Sequence, residues 1–230
     1  MAQRSMYELL NGANSAGNPD LALNAANSDA VVAKHRFVYN GTGKTVDTNV
    51  WTSRSIENAD GSTVMGNNGL EIRSHTNSNI SRWGIDFNNK QQFDAASCVM
   101  IASVVVPENN CAGNGGFGDD PTNHSQPNWV SLQNNTAGTN MTFQSSGSPA
   151  TGDYYQFANT GVKTTNQPYT YKIESGLSAQ KCSISGRLVV TTTVSIQSGV
   201  NLEPFFKIYK PSGTTDVKKF IIRYVEAYNA

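Results

Sequence analysis

Few side chains in this sequence have the type and spacing to do chemistry. Glu71 in GLEIRS, Asp86 in WGIDF and Glu226 in FIIRYVEAY each stand alone, with no second acid two positions along the same stretch. Side chains two apart share one face of a strand, so none of these stretches offers a paired acid and base. His35, His75 and His124 are scattered and read as surface or loop residues. Cys98, Cys111 and Cys182 have no C-x-x-C spacing for zinc or redox work and read as buried free thiols. Asp119 and Asp120, with Asn114 and Asn123 nearby, offer the oxygen ligands that calcium takes; the competing reading is a solvated polar loop. GNGGFG, residues 113 to 118, has the G-x-G-x-x-G form of a dinucleotide loop. The DDPTNHSQP that follows cannot open the helix that such a loop needs, which excludes that chemistry.

Aromatic rings are the other resource, because sugars stack on exposed rings. Trp129, Tyr154 and Tyr155 are the candidates for contact with a glycan. Adjacent residues of a strand point to opposite faces, so one of Tyr154 and Tyr155 faces outward. The competing reading for each is a core ring with a hydrogen-bonded polar end.

These side chains must be positioned by strands. Of the 230 residues, 37% are hydrophobic and only 15% charged, with Asn, Ser, Thr and Gly making up much of the rest. That is the profile of many short strands joined by hydrogen-bonding turns. Net charge is zero and the pI is about 6.8, which leaves no overall field to attract a phosphate backbone or an anionic membrane. No apolar run is long enough for a membrane-spanning helix, and MAQRSMYELLNG lacks the apolar stretch of a secretory signal. The expectation is synthesis in a cytoplasm, with neither nucleic acid nor membrane insertion.

Residues 1 to 33 are rich in Ala, Asn and Ser and read as an extended or weakly helical arm, with Met6, Tyr7, Leu9 and Leu10 as its partner-binding residues. Residues 34 to 230 read as one domain. RFVYNG, TNVWTSR, GLEIRS and RWGIDFN are strand-like; Trp83, Ile85 and Phe87 alternate with Gly84 and Asp86 at the period of a half-buried strand. CVMIASVVV, apolar on both faces and stopped by Pro107, is a central strand. The stretch ENNCAGNGGFGDDPTNHSQPN has no periodicity and reads as one long loop. WVSLQN, MTFQSSG, YYQFAN and YTYKIES resume the strand pattern, and KCSISGRLVVTTTVSI reads as a hairpin turning at Ser185 and Gly186. PFFKIYK and KKFIIRYVEAY close the chain, either paired or in facing sheets.

The order YTYKIES, a hairpin with SISGRL, LEPFFKIYKPSG and a closing FIIRYVEAY resembles the second half of concanavalin A-like jelly rolls, the lectin and laminin-G group. The resemblance spans Phe37 to Tyr228. It implies an all-β antiparallel jelly-roll sandwich whose last strand is held inside a sheet. Related jelly rolls include glycoside hydrolases with carboxylates on one strand in an E-x-D-x-E run, which is absent here. With the polar arm and the Asn-, Thr- and Gly-rich strands, the sequence resembles virion surface proteins of bacteriophages. The expectation is therefore a non-enzymatic virion component (capsid decoration, head fibre or tail surface), made in the host cytoplasm. Other virion proteins would be its partners, and it would form a homo-oligomer. The alternatives are a lectin-like module for host polysaccharide, with calcium as its one conceivable cofactor, and a polysaccharide hydrolase.

Overall fold

Period-2 alternation of apolar side chains generates strands that are buried on one face, and such strands are stable only when two layers of them close on a shared core. The computed structural model of the protein describes residues 36–41, 45–57, 61–76, 81–88, 92–107, 110–119, 128–135, 140–147, 154–162, 167–194 and 196–230. The expected arm, with Met6, Tyr7, Leu9 and Leu10, lies outside them, as does Asp120. The described residues form strands and turns, with no helix among them.

In chain order the strands are β1 (Arg36–Asn40), β2 (Thr52–Glu57), β3 (Ser62–Gly66), β4 (Gly69–Arg73), β5 (Ser81–Asp86), β6 (Phe93–Asp94), β7 (Cys98–Val105) and β8 (Ala112–Gly118). They continue with β9 (Trp129–Asn135), β10 (Thr142–Gly147), β11 (Tyr154–Asn159), β12 (Tyr169–Glu174), β13 (Gln180–Ile184), β14 (Arg187–Thr192), β15 (Asn201–Lys210) and β16 (Lys219–Asn229). One sheet runs β14-β13-β12-β7-β16-β4-β3, with β1 also on β16; the other runs β11-β10-β9-β8-β15-β5-β2, with β6 on β15. Every pairing is antiparallel, and the two sheets form the expected jelly-roll sandwich.

The final strand is held on both sides. β16 pairs with β7 along one edge, and with β4 and then β1 along the other. A register shift between Ile222 and Tyr224 marks the change of partner, and Gly41 N–H donates to Arg223 O there at 2.9 Å. β15 and β16 lie in facing sheets. The hairpin of β13 and β14 turns at Ser185 and Gly186, both with positive φ, 50° and 80°.

The core lies between the sheets. Leu70, Ile72, Met100, Ala102 and Val104 of the first sheet meet Ile85, Val130, Leu132, Phe206 and Ile208 of the second. At one end the rings of Phe37, Trp51 and Phe87 meet edge to face, with centroids 4.7 to 5.9 Å apart. Such pairs add about 0.5–1.5 kcal/mol each beyond the area they bury. All three thiols are buried, and none is joined in a disulfide among the described residues.

One expectation fails here. Residues 112 to 118 of the supposed long loop are β8, a central strand between β9 and β15. Its pattern is hidden because glycines occupy the alternating positions. Gly113 and Gly115 face the core, where a Cβ on Gly113 would fall 2.7 Å from both Phe220 and Val106, and one on Gly115 2.6 Å from Phe206. Large rings of neighbouring strands fill the space that a strand normally fills with its own side chains.

Candidate functional site

The faces of the second sheet follow from which side chains join the core. Val130, Leu132, Phe143, Ile85, Phe206 and Ile208 point inward, so their strand neighbours form the outer face. Strand register sorts that face into rows running across the strands. The first row is Arg54, Gly84, Lys207, Asn114, Gln133 and Thr142. The second is Thr52, Asp86, Phe205, Gly116, Ser131, Gln144 and Phe157, and the third contains Glu203, Gly118, Trp129 and Ser146. A row that crosses six strands spans about 24 Å at the usual inter-strand spacing.

Two glycines make a trough in this face. Gly118 lies between Phe205 and Trp129, whose nearest atoms would be 3.4 and 3.8 Å from a Cβ placed on it. Gly116 packs against the β9 backbone too closely to carry a side chain. Around the trough the polar groups are only partly served. Asn114 Nδ2 donates to Gln144 Oε1 at 3.4 Å, and Gln144 Nε2 donates to Gln133 Oε1. Asn114 Oδ1, Ser131 Oγ and Trp129 Nε1 are buried without a hydrogen-bond partner. A buried polar atom left unpaired costs about 1–3 kcal/mol, so three together on one face mark a place where an external partner is missing.

The same face holds two acids. Glu203 is 1% exposed and Asp86 is fully buried. They stand on adjacent strands, one row apart, which makes them diagonal neighbours about 7–8 Å apart at the backbone. Arg54 Nε donates to Asp86 Oδ2 at 2.5 Å, Arg54 Nη2 donates to Asn88 Oδ1, and Asn88 N–H donates to Asp86 Oδ1 at 2.9 Å. Toward β2 the face becomes cationic and more accessible. Lys207 Nζ lies 5.5 Å from the Phe205 ring centroid, and Arg82 Cζ lies 5.3 Å from that of Tyr209.

Of the residues singled out in the sequence, Trp129 falls in the third row of this face, and Tyr155 is the register partner of Ser146. Tyr154 is the register partner of Gly147. Asp119 is elsewhere: its Oδ2 accepts from Asn128 Nδ2 at 2.9 Å and its Oδ1 from Asn128 N–H at 3.3 Å. Both oxygens thus accept from Asn128, and no group of three acidic, His or Cys side chains suited to a metal occurs among the described residues. Asp120, the other residue of the expected calcium pair, lies outside the described residues. His75, expected at the surface, is buried with Nδ1 3.3 Å from Lys210 Nζ, at an end of the core. Spacing along one strand does not reveal Glu203, because its acidic neighbour Asp86 stands on another strand. The signal was present in LEPFFKIYK, where Glu203, Phe205, Lys207 and Tyr209 alternate with Leu202, Pro204, Phe206 and Ile208.

No protein-family model matches the chain. No curated protein matches it either. Solved structures do. A prokaryotic β-1,3-1,4-glucanase (lichenase) from a mouse hindgut metagenome superposes with a TM-score of 0.64 at 10% identity, covering 84% of this chain and 98% of that one. The Bacteroides ovatus GH16 protein of the mixed-linkage glucan PUL, in complex with a G4G4G3G product, gives 0.62 at 14% identity over 82% and 98%. The Bacillus licheniformis β-glucanase gives 0.61 at 12% identity over 85% and 98%. These likenesses overturn the expectation of a non-enzymatic virion component, and they favour its lectin-like alternative no better, because the structures the chain resembles are polysaccharide-processing enzymes. At identities of 10 to 14%, what the chain shares with them is the jelly-roll fold that carries their glycoside hydrolase chemistry.

Proposed function

We propose that this protein acts on a polysaccharide laid across the outer face of the second sheet. The observation that carries this reading is the set of buried, unpartnered atoms Asn114 Oδ1, Ser131 Oγ and Trp129 Nε1 beside a glycine-floored trough. Sugar hydroxyls both donate and accept, so one chain could satisfy all three while its apolar ring faces lie on Trp129 and Phe205. Phe157, 64% exposed in the second row on the edge strand β11, extends the platform outward. The solved jelly rolls of the same shape, a lichenase and β-glucanases, support a β-linked glucan as the first substrate class to test.

The chemistry assigned to the face is cleavage or transfer at a glycosidic bond. Such reactions use two carboxyl groups, one giving a proton to the leaving oxygen and one acting from the opposite side of the ring. Within a single strand the required spacing is absent: the outer positions of β9 are Trp129, Ser131 and Gln133. The cross-strand pair Glu203 and Asp86 takes that place here, with Glu203 as the proton donor and Asp86, oriented by Arg54, as the opposing carboxylate. Both are shielded from water, so the substrate must displace their cover to reach them.

The test is release of reducing ends, or transfer to a labelled oligosaccharide, from a panel beginning with mixed-linkage and β-1,3-glucans. Turnover that is lost in both Glu203→Gln and Asp86→Asn, each shown to be folded by circular dichroism, is the expected result. Absence of turnover across the panel, or turnover that survives both substitutions, would overturn the assignment.

A further inference from the structure

The outer face of the first sheet is more deeply covered than an open face should be. In β7, Met100, Ala102 and Val104 join the core, so Val99, Ile101 and Val105 point away from it. By the same alternation Val38 of β1 and Ile221 and Glu226 of β16 point outward. Register places them side by side: Val38, Glu226 and Ile101 form one row, Tyr228 and Val99 the next, and Ile221 and Val105 another further along the strands. Side chains on the solvent side of a sheet keep much of their surface in water. Yet Val38 and Val99 are each 4% exposed, Ile221 6% and Val105 7%. The strands packed on β16 do not account for this: β7, β1 and β4 are its neighbours within the sheet, and β15 and β6 belong to the facing sheet.

Where the chain runs limits what can cover the face. The longer connections outside the described residues, 120–127 and 148–153, each join two strands of the second sheet. Residues 1–35 instead lead straight into the first sheet, because Arg36 starts β1 opposite Tyr228, in the row of Val99. Extended, they reach roughly 115 Å, whereas the patch from Val99 to Val105 is about 20 Å long. The acids on the face are served within the sheet, Glu226 by the Tyr224 hydroxyl at 2.8 Å and Glu71 by the Arg73 guanidinium at 2.6 Å. The patch therefore suits apolar company, and residues 1–35 carry Met6, Leu9, Leu10, Leu21 and Leu23.

We propose that residues 1–35 fold back over the outer face of the first sheet of their own chain and seat apolar side chains on Val38, Val99, Val105 and Ile221. The segment is then an intramolecular strap on the side of the sandwich opposite the polysaccharide face. It leaves that face open and shields an apolar surface that would otherwise pair with another copy.

Val99→Cys in the full chain, treated with a water-soluble thiol reagent and compared with the chain lacking the added cysteine, tests this, since the native thiols are buried. Labelling should be slow and independent of protein concentration. It should speed up roughly tenfold or more when Leu9→Asp and Leu10→Asp are added, as for a segment that opens locally. Ile101→Cys, at a half-buried position of the same face, repeats the test if Val99→Cys folds poorly. Rapid labelling beside the native segment, or slow labelling unchanged by the two aspartates, would overturn the inference. So would protection that vanishes on dilution alongside dimers seen by light scattering, because the cover would then be a second copy. None of these outcomes depends on whether the protein turns over a polysaccharide.

Discussion

Arg54 and Asp86 meet at 2.5 Å across β2 and β5, with the carboxylate fully buried and the guanidinium mostly so. Removing one member of a buried pair strands the other, at a typical cost of about 3–5 kcal/mol. Arg54→Met is therefore expected to lower unfolding free energy by about 2–4 kcal/mol, slightly less because Asn88 N–H still serves Asp86. Urea denaturation measures it. A change under about 0.5 kcal/mol would show that the pair does not hold β2 to β5.

The glycines of β8 differ by face. On the core side a Cβ at Gly115 meets Phe206 at 2.6 Å, while on the outer side one at Gly118 lies 3.4 Å from Phe205. Overpacking a filled core costs about 1–3 kcal/mol, so Gly115→Ala should lower the melting temperature by several degrees. Gly118→Ala should leave it nearly unchanged and instead weaken polysaccharide binding by filling the trough. Equal effects of the two substitutions on stability would contradict the assignment of faces.

Where side chains alternate, the sequence announces its strands. Trp83, Ile85 and Phe87, and likewise Tyr169, Tyr171 and Ile173, give away β5 and β12, and the two-sided apolar run from Cys98 gives away the central β7. β8 is silent for a physical reason: glycine leaves no hydrophobic period, and the side chains that complete its layer, Phe206, Phe220 and Val106, belong to other parts of the chain. The site is hidden in a similar way. Glu203 and Asp86 are 117 positions apart in sequence and become neighbours only through the pairing of β15 with β5, a register that no local pattern encodes.

Burial controls the thiols. It pushes the Cys182 thiol up to about 12 and the Cys98 thiol higher still, where neither supplies thiolate at neutral pH. A thiol reagent should therefore label neither residue in the native protein, and its rate should follow that of global unfolding in urea. Labelling of either Cys without denaturant would show that the sandwich opens locally at β7 or β13.

Lys207 gives stability a pH dependence of definite sign. Its folded-state value of about 8 lies below the ordinary 10.5. Between those values the unfolded chain holds a proton that the folded chain has released, so stability rises with pH across that window. Below it the cost of the buried charge is fully present. Urea midpoints measured from pH 8 to 10.5 should climb in the native sequence and climb less in Lys207→Met. Identical slopes would show that Lys207 does not titrate there.

Ser131 separates stability from function. Its hydroxyl is buried on the outer face with no hydrogen-bond partner, whereas its backbone is fixed between β8 and β10. Replacing an unpaired buried hydroxyl by a methyl group removes a desolvation cost of about 1–3 kcal/mol and leaves little cavity. Ser131→Ala should thus stabilise the folded protein, by about 1 kcal/mol once the lost packing is subtracted, and at the same time weaken polysaccharide binding. That opposition is what a site kept unsatisfied for a ligand produces, since stability is given up where a ligand restores it. If Ser131→Ala destabilises the protein and leaves binding untouched, the hydroxyl serves the fold, and the trough beside it loses its strongest claim to hold a sugar.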